Sequence, residues 1–124
     1  QLAEPGTNPN YEAMIQRFEA RFGRKTRNVV VALSYDTARA AIHGIANAKI
    51  PTPKFVKEGL ERIRWMPATN GGPATYVQFG PGDHKGYKGD FLTIWELRDK
   101  QLRFKEYVRP QWPSNRREIP DYGD

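Results

Sequence analysis

Residues 28–48 read NVVVALSYDTARAAIHGIANA. Apolar or small side chains recur all round this stretch, at Val30, Val31, Leu33, Ala38, Ala41, Ile42 and Ile45, where a surface helix keeps a broad polar face. The expectation is a helix covered on most of its sides, with Tyr35 and Asp36 adjacent near its middle. Such a helix needs a substantial partner layer. The rest of the chain offers little to build one, so the chain is expected to belong to a larger fold.

Composition points the same way. Of 124 residues 38% are hydrophobic, and 11 Gly and 10 Pro interrupt them. With a mean hydropathy of −0.78, a core built by this chain alone is thin, and the chain holds one domain at most. No segment approaches the roughly 20 apolar residues of a membrane span. No basic stretch followed by an apolar one opens the chain, so any export signal is expected upstream or already removed. Absence of cysteine excludes disulfides and thiolate ligands or nucleophiles, and fits an oxidising or a reducing compartment equally.

A net charge of +6 invites a nucleic-acid reading, because clustered Lys and Arg attract phosphate whatever the sequence. The distribution argues against it. Glu12, Glu19, Glu58, Glu61, Asp83, Asp90, Glu96, Asp99 and Glu106 are interleaved with the basic residues, and no recognition helix, RNA-recognition or zinc-finger pattern accompanies them. A solvated basic surface and no nucleic-acid partner are expected.

Ahead of the apolar stretch, Asn8 reads as a helix cap with Pro9 at the first helical position. Tyr11, Met14, Ile15, Phe18 and Phe22 follow at helical spacing, and Gly23 closes the helix. Residues 23–27 form a basic connector. After the apolar helix, Thr52 and Pro53 start a third helix to about residue 63, its inner face carrying Phe55, Val56, Leu60 and Ile63 and its middle weakened by Gly59. Residues 66–73 (MPATNGGP) read as a loop, 75–79 (TYVQF) as a short strand and 80–90 (GPGDHKGYKGD) as a Gly-rich loop. Two alternating runs, 91–97 and 102–108, flank RDKQ as a hairpin. Residues 109–124, rich in proline and carrying Trp112, read as an extended tail.

The order of these pieces resembles the last third of the type I periplasmic solute-binding proteins, in the branched-chain amino acid branch that serves ABC importers. The resemblance rests on the capped aromatic helix ending in FG, the small-residue helix bearing YD before an alanine, the TPxxVxxGLE helix, the GG loop, the strand running into FGPGDHKGYKGD, and the final strand pair. It spans residues 8–108. It implies an α/β fold of two Rossmann-like lobes, of which this chain holds a C-terminal portion with elements of both. On that basis residues 1–22 carry a second-lobe helix, 23–90 the first-lobe helices and strand, 91–108 the last hinge crossover and second-lobe hairpin, and 109–124 the tail.

The resemblance also implies a function: capture of a small solute, an amino acid or related carboxylate, by hinge closure, and delivery to an ABC permease in the membrane. The location implied is periplasmic, with no catalysis and no cofactor. The further partner implied is the upstream remainder of the same protein, whose segments usually hold the solute's carboxylate and amine. Ligand-binding candidates are Tyr35, whose ring is expected to pack on the solute, with Asp36 and Ser34 steadying the helix start or bridging the hinge. The bland alternative makes Tyr35 core and Asp36 an ordinary first-turn acid favoured by the helix dipole.

Other constellations carry less. His84 with Asp83 and Asp90 matches no metal-ligand spacing, and GPGDHKG lacks the Lys-Ser/Thr ending of a phosphate-cradling loop. Two distant histidines and no cysteine leave no nucleophile-base pair among sequence neighbours, so no enzyme is expected. The competing class is a small basic protein- or RNA-interaction domain without catalysis, which requires the chain to fold alone.

Overall fold

The structure, a computed structural model, describes residues 7–26 and 28–108. The tail expected over 109–124, with Trp112, lies outside the described residues. Helix α1 runs Pro9–Phe22, with Asn8 as its cap: the Asn8 Oδ1 accepts from the Asn10 N–H at 2.9 Å, and Pro9 occupies a first position where a missing donor costs nothing. Gly23, in the left-handed region at φ 67°, ends it. The cap is also a tertiary tie, because the buried Asn8 Nδ2 donates to the carbonyls of Ala68 at 3.0 Å and Gly72 at 3.2 Å.

Helix α2 spans Val29–Ala46, capped by Asn28, whose Oδ1 accepts from the Val30 N–H at 2.9 Å. Its buried residues are Ala32, Asp36, Ala40 and Gly44, a stripe repeating every four residues. Away from the stripe, Val29, Val30, Leu33, Ile42 and Ile45 are 40% to 66% exposed. Cover on most sides, expected from the sequence, is therefore not supplied by the described residues. The reason is the small size of what packs against the stripe.

Helix α3, Pro53–Glu61, starts where expected, although the Thr52 side chain makes no cap bond, and it stops two residues short of 63. It crosses α2 at a glycine pair: a Cβ on Gly44 would fall 2.6 Å from Leu60 side-chain carbons, and one on Gly59 would overlap the Gly44 carbonyl oxygen. Asn47 Nδ2 donates to the Gly59 carbonyl at 3.3 Å and fastens the same crossing.

Three two-residue strands form an antiparallel sheet in chain order: β1 Met66–Pro67, β2 Tyr76–Val77 and β3 Tyr87–Lys88. Only the middle one was expected, and it is shorter than 75–79. Strands β1 and β3 arise inside segments whose Gly and Pro content marks them as loops. They pair because Met66 and Tyr87 both lie opposite Val77, building a core of Ala40, Ile63, Met66, Ala68 and Val77 under Leu60, Phe79 and Tyr87.

The expected hairpin forms, but Arg98 and Gln101 join its strands and shorten the expected RDKQ connection to two residues: β4, Leu92–Arg98, pairs antiparallel with β5, Gln101–Val108, through a register shift at Ile94/Trp95. One face is aromatic, with Trp95 edge-on to Phe104 at 5.6 Å between ring centroids and Phe104 in turn 4.7 Å from Tyr107. The turn is carried by Asp99 at φ 52° and Lys100 at φ 61°, both left-handed, as a two-residue hairpin turn demands. Lys100 bears the steric cost of that region with no glycine to relieve it. Lys100→Gly is expected to raise stability by about 1 kcal/mol, read as a higher urea midpoint; an unchanged or lower midpoint would contradict it.

The chain is thus of mixed α/β content, with helices and small antiparallel sheets. Among the described residues no strands pair in parallel.

Candidate functional site

Successive residues of a helix point about a third of a turn apart, so neighbours in sequence serve different faces. That separates the three candidate residues. Ser34 and Tyr35 face α1 and line one cleft with it; Asp36 is 2% exposed and faces the sheet and its loops.

The α1/α2 cleft has a volume of about 380 Å³. Its floor is Met14, Phe18, Phe22 and Val31, with the Phe18 and Phe22 rings 4.6 Å apart. Its rim holds Arg17, Arg21, Ser34 and Tyr35. The Arg17 guanidinium donates to the Tyr35 hydroxyl at 2.8 Å, and Arg39 lies 5.7 Å from the centre of the Tyr35 ring. Tyr35 is half-buried between two cations. The arginines came from no sequence argument; their spacing, one helical turn apart on the side of α1 that carries Phe18, is the signal that was there to read.

Asp36 is the hub of a different arrangement. Its carboxylate accepts from the Thr69 N–H at 2.9 and 3.0 Å, from the Asn70 Nδ2 at 3.2 Å and from the Tyr87 hydroxyl at 3.0 Å, with Arg39 at 3.9 Å. Since α2 begins at Val29, Asp36 lies two turns inside the helix. The reading of it as a first-turn acid is corrected: it faces partners in segments 33 to 51 residues away, beyond the reach of any local pattern.

The loop at 68–72 gathers these ties. It receives the Asn8 cap from α1 and Asp36 from α2, and Gly72 lies against the β5 ring of Tyr107, which a Cβ would overlap. Burial, the negative charge of Asp36 and the hydrogen bond to it push the Tyr87 phenol up to about 12. A raised phenol stabilises the fold below its ordinary value of 10, and the contribution is lost as pH climbs from there toward 12. In an alkaline absorbance titration one phenol is therefore expected to ionise late. Tyr87→Phe should remove that late phase and flatten the loss of stability over the same range; an unchanged titration would contradict this.

On the far side of α3, the buried Glu61 Oε1 accepts from Lys57 Nζ at 2.6 Å and lies 2.9 Å from His84 Nε2. The hydrogen bond from Lys57, with that of His84 behind it, holds the Glu61 carboxyl below its ordinary range. His84 thus meets an acid outside its own loop. Among the described residues no group of three or more His, Asp or Glu is placed to hold a metal ion.

An apolar groove of about 430 Å³ lies between α2, α3 and the sheet, walled by Ala40, Ile45, Val56, Leu60 and Phe79 and closed at one end by Asp36 and Tyr87. Its polar end is occupied by the bonds just described. The α1/α2 cleft, by contrast, turns cationic donors outward over an apolar floor, and it contains two of the three candidates. Comparison with protein-family models, with curated proteins and with solved structures finds no match to this chain.

Proposed function

We propose that this chain is the C-terminal portion of an extracytoplasmic solute-binding protein of the type I periplasmic class, which captures an amino acid or related small carboxylate and passes it to an ABC permease. The observation that carries the reading is α2. An 18-residue helix built of Val, Ala, Leu and Ile is covered along one stripe and bare along the rest, which is how a lobe helix looks when the sheet it packs on belongs to another segment. The upstream remainder of the same protein is the partner this implies, and the location is periplasmic.

In this reading α1 and the β4/β5 hairpin belong to the second lobe, and α2, α3 and the small sheet to the first. The bonds from Asn8 to the 68–72 loop and from Arg17 to Tyr35, and the packing of the Tyr107 ring on Gly72, are then the crossings at the hinge. Solute capture by closure of two lobes needs such a pivot.

The isolated chain is expected to show no measurable affinity for branched-chain amino acids by calorimetry, because the counter-charge for a zwitterion's amine is supplied by the upstream remainder. The parent protein is expected to bind a small carboxylate-bearing solute and to contract on binding, read by small-angle scattering. Micromolar binding of branched-chain amino acids by the isolated chain would overturn the reading. So would a cooperatively melting monomer of the chain that binds RNA or a protein partner instead.

A further inference from the structure

We infer that the α1/α2 cleft takes a carboxylate with an apolar, aromatic-sized body and no ammonium group. The inference takes from the proposed function only that the Ser34–Tyr35 face is a solute site. Its own ground is the chemistry of the lining. About 380 Å³ falls within the range of small-molecule pockets, roughly 300 to 1,000 Å³, and suits a single ring with a short side chain. The floor of Met14, Phe18, Phe22 and Val31 offers thioether, ring and branched aliphatic surface to such a body.

The polar groups all point to one charge. Arg17 and Arg21 stand on the exposed rim, and among the described residues neither lies within ion-pair distance of a carboxylate. The one bond from Arg17 goes to a neutral phenol, so its remaining N–H donors stay available to a planar anion. Ser34 adds a hydroxyl.

Among the described residues no acidic side chain lines the cleft. Of the acids nearest in sequence, Asp36 is 2% exposed and bound to Thr69, Asn70 and Tyr87 on the next face of the helix, and Glu19, beside Phe18, is paired with Lys25 at 3.8 Å. An α-ammonium group placed here would meet two guanidinium groups and no counter-charge, and like-charge juxtaposition is how a site rejects a near neighbour of its ligand. A simple aryl or alkyl acid is accepted, and the amino acid of the same skeleton is refused.

Three matched probes test this on the isotopically labelled chain: 3-phenylpropionate, its neutral amide, and phenylalanine, which is the same acid with an α-ammonium. Backbone and arginine side-chain resonances of α1 and α2 are followed by NMR. The acid is expected to give saturable shifts around Arg17, Tyr35 and Val31, with affinity about tenfold or more above the amide, the scale of one charge-assisted hydrogen bond. Phenylalanine is expected to be weaker by a similar factor. Arg17→Gln with Arg21→Gln should abolish the preference for acid over amide while the circular-dichroism spectrum stays unchanged and the folding equilibrium constant falls by no more than about fivefold (about 1 kcal/mol), the scale of the exposed Arg17–Tyr35 bond. Arg17→Lys with Arg21→Lys should keep part of it.

Equal affinity for acid and amide, equal affinity for phenylalanine, or no saturable shift at millimolar concentrations would each overturn the inference. The parent protein separates this failure from failure of the solute-binding reading. If the parent closes on a zwitterionic amino acid and the glutamine variants leave that affinity unchanged, the cleft is not the site and solute binding stands. If the chain binds the acid through its arginines while the parent closes on no solute, the cleft stands and hinge-closing capture falls.

Discussion

Replacement of Asp36 by alanine is expected to cost about 3 to 5 kcal/mol of stability, the range seen when one partner is removed from a buried charged network. The cost comes less from the lost carboxylate than from what it leaves behind. The Thr69 N–H, the Asn70 side-chain amide and the Tyr87 hydroxyl all donate to it; in the alanine variant the Thr69 N–H stays buried without its acceptor, the part-buried Tyr87 hydroxyl loses its own, and the Asn70 amide keeps only its bond to that hydroxyl. Arg39 loses its acid as well. Asp36→Asn retains one carbonyl acceptor for the Thr69 N–H and should fall between the alanine variant and the parent sequence. Urea denaturation measures both, and hydrogen exchange at the Thr69 and Asn70 amides reports whether the loop detaches locally. An alanine variant within about 0.5 kcal/mol of the original chain, the scale of an ordinary surface change, would show that the junction holds nothing together.

The α2/α3 crossing gives the second large effect. Gly59→Ala drives a methyl group into the backbone carbonyl of Gly44 and against the Ala48 N–H, and neither can rotate aside, so the helices must part. Overpacking of this kind costs typically about 1 to 3 kcal/mol, and with backbone on the receiving side the upper end is expected. Gly44→Ala meets only the Leu60 side chain, which can change rotamer, and should cost clearly less. The comparison matters because both changes raise helix propensity by similar amounts, roughly 1 kcal/mol. If the two variants melt together, the asymmetry of the crossing is wrong; if Gly59→Ala is the more stable, close approach is not what those glycines serve.

Both effects bear on the proposed site. Asp36 and the glycine crossing hold α2 at a set distance from the loop at 68–72 and from α3, while Asn8 ties the start of α1 to the same loop. The cleft between α1 and α2 inherits its width from these ties and from the bond of Arg17 to Tyr35 across it. Loosening the junction is therefore expected to open the cleft as well as to lower the melting point.

The helix boundaries at Asn8, Pro9, Gly23, Asn28 and Pro53 were legible in the sequence because each is decided within one turn of chain. A capping oxygen meets the N–H two residues on, proline needs no donor at the first position, and glycine enters the left-handed region without a Cβ clash. The hairpin was legible for the same reason, its alternation being local to two strands joined by a two-residue turn. Composition likewise announced a small core, since 11 Gly and 10 Pro among 124 residues leave few runs long enough to bury.

Tertiary structure alone decided the rest. Tyr35 and Asp36 are adjacent in the sequence yet serve different faces of α2, one in a cleft with arginines from α1, the other under a loop more than thirty residues away. Strands β1 and β3 exist only because Val77 lies between them to be covered, and no local preference of Met66–Pro67 or Tyr87–Lys88 announces that. A helical repeat records how apolar each face is, and for that reason it marked α2 as a helix made to be covered; what covers each face depends on groups brought together through space by the whole fold, and that information is held in no single stretch of the chain.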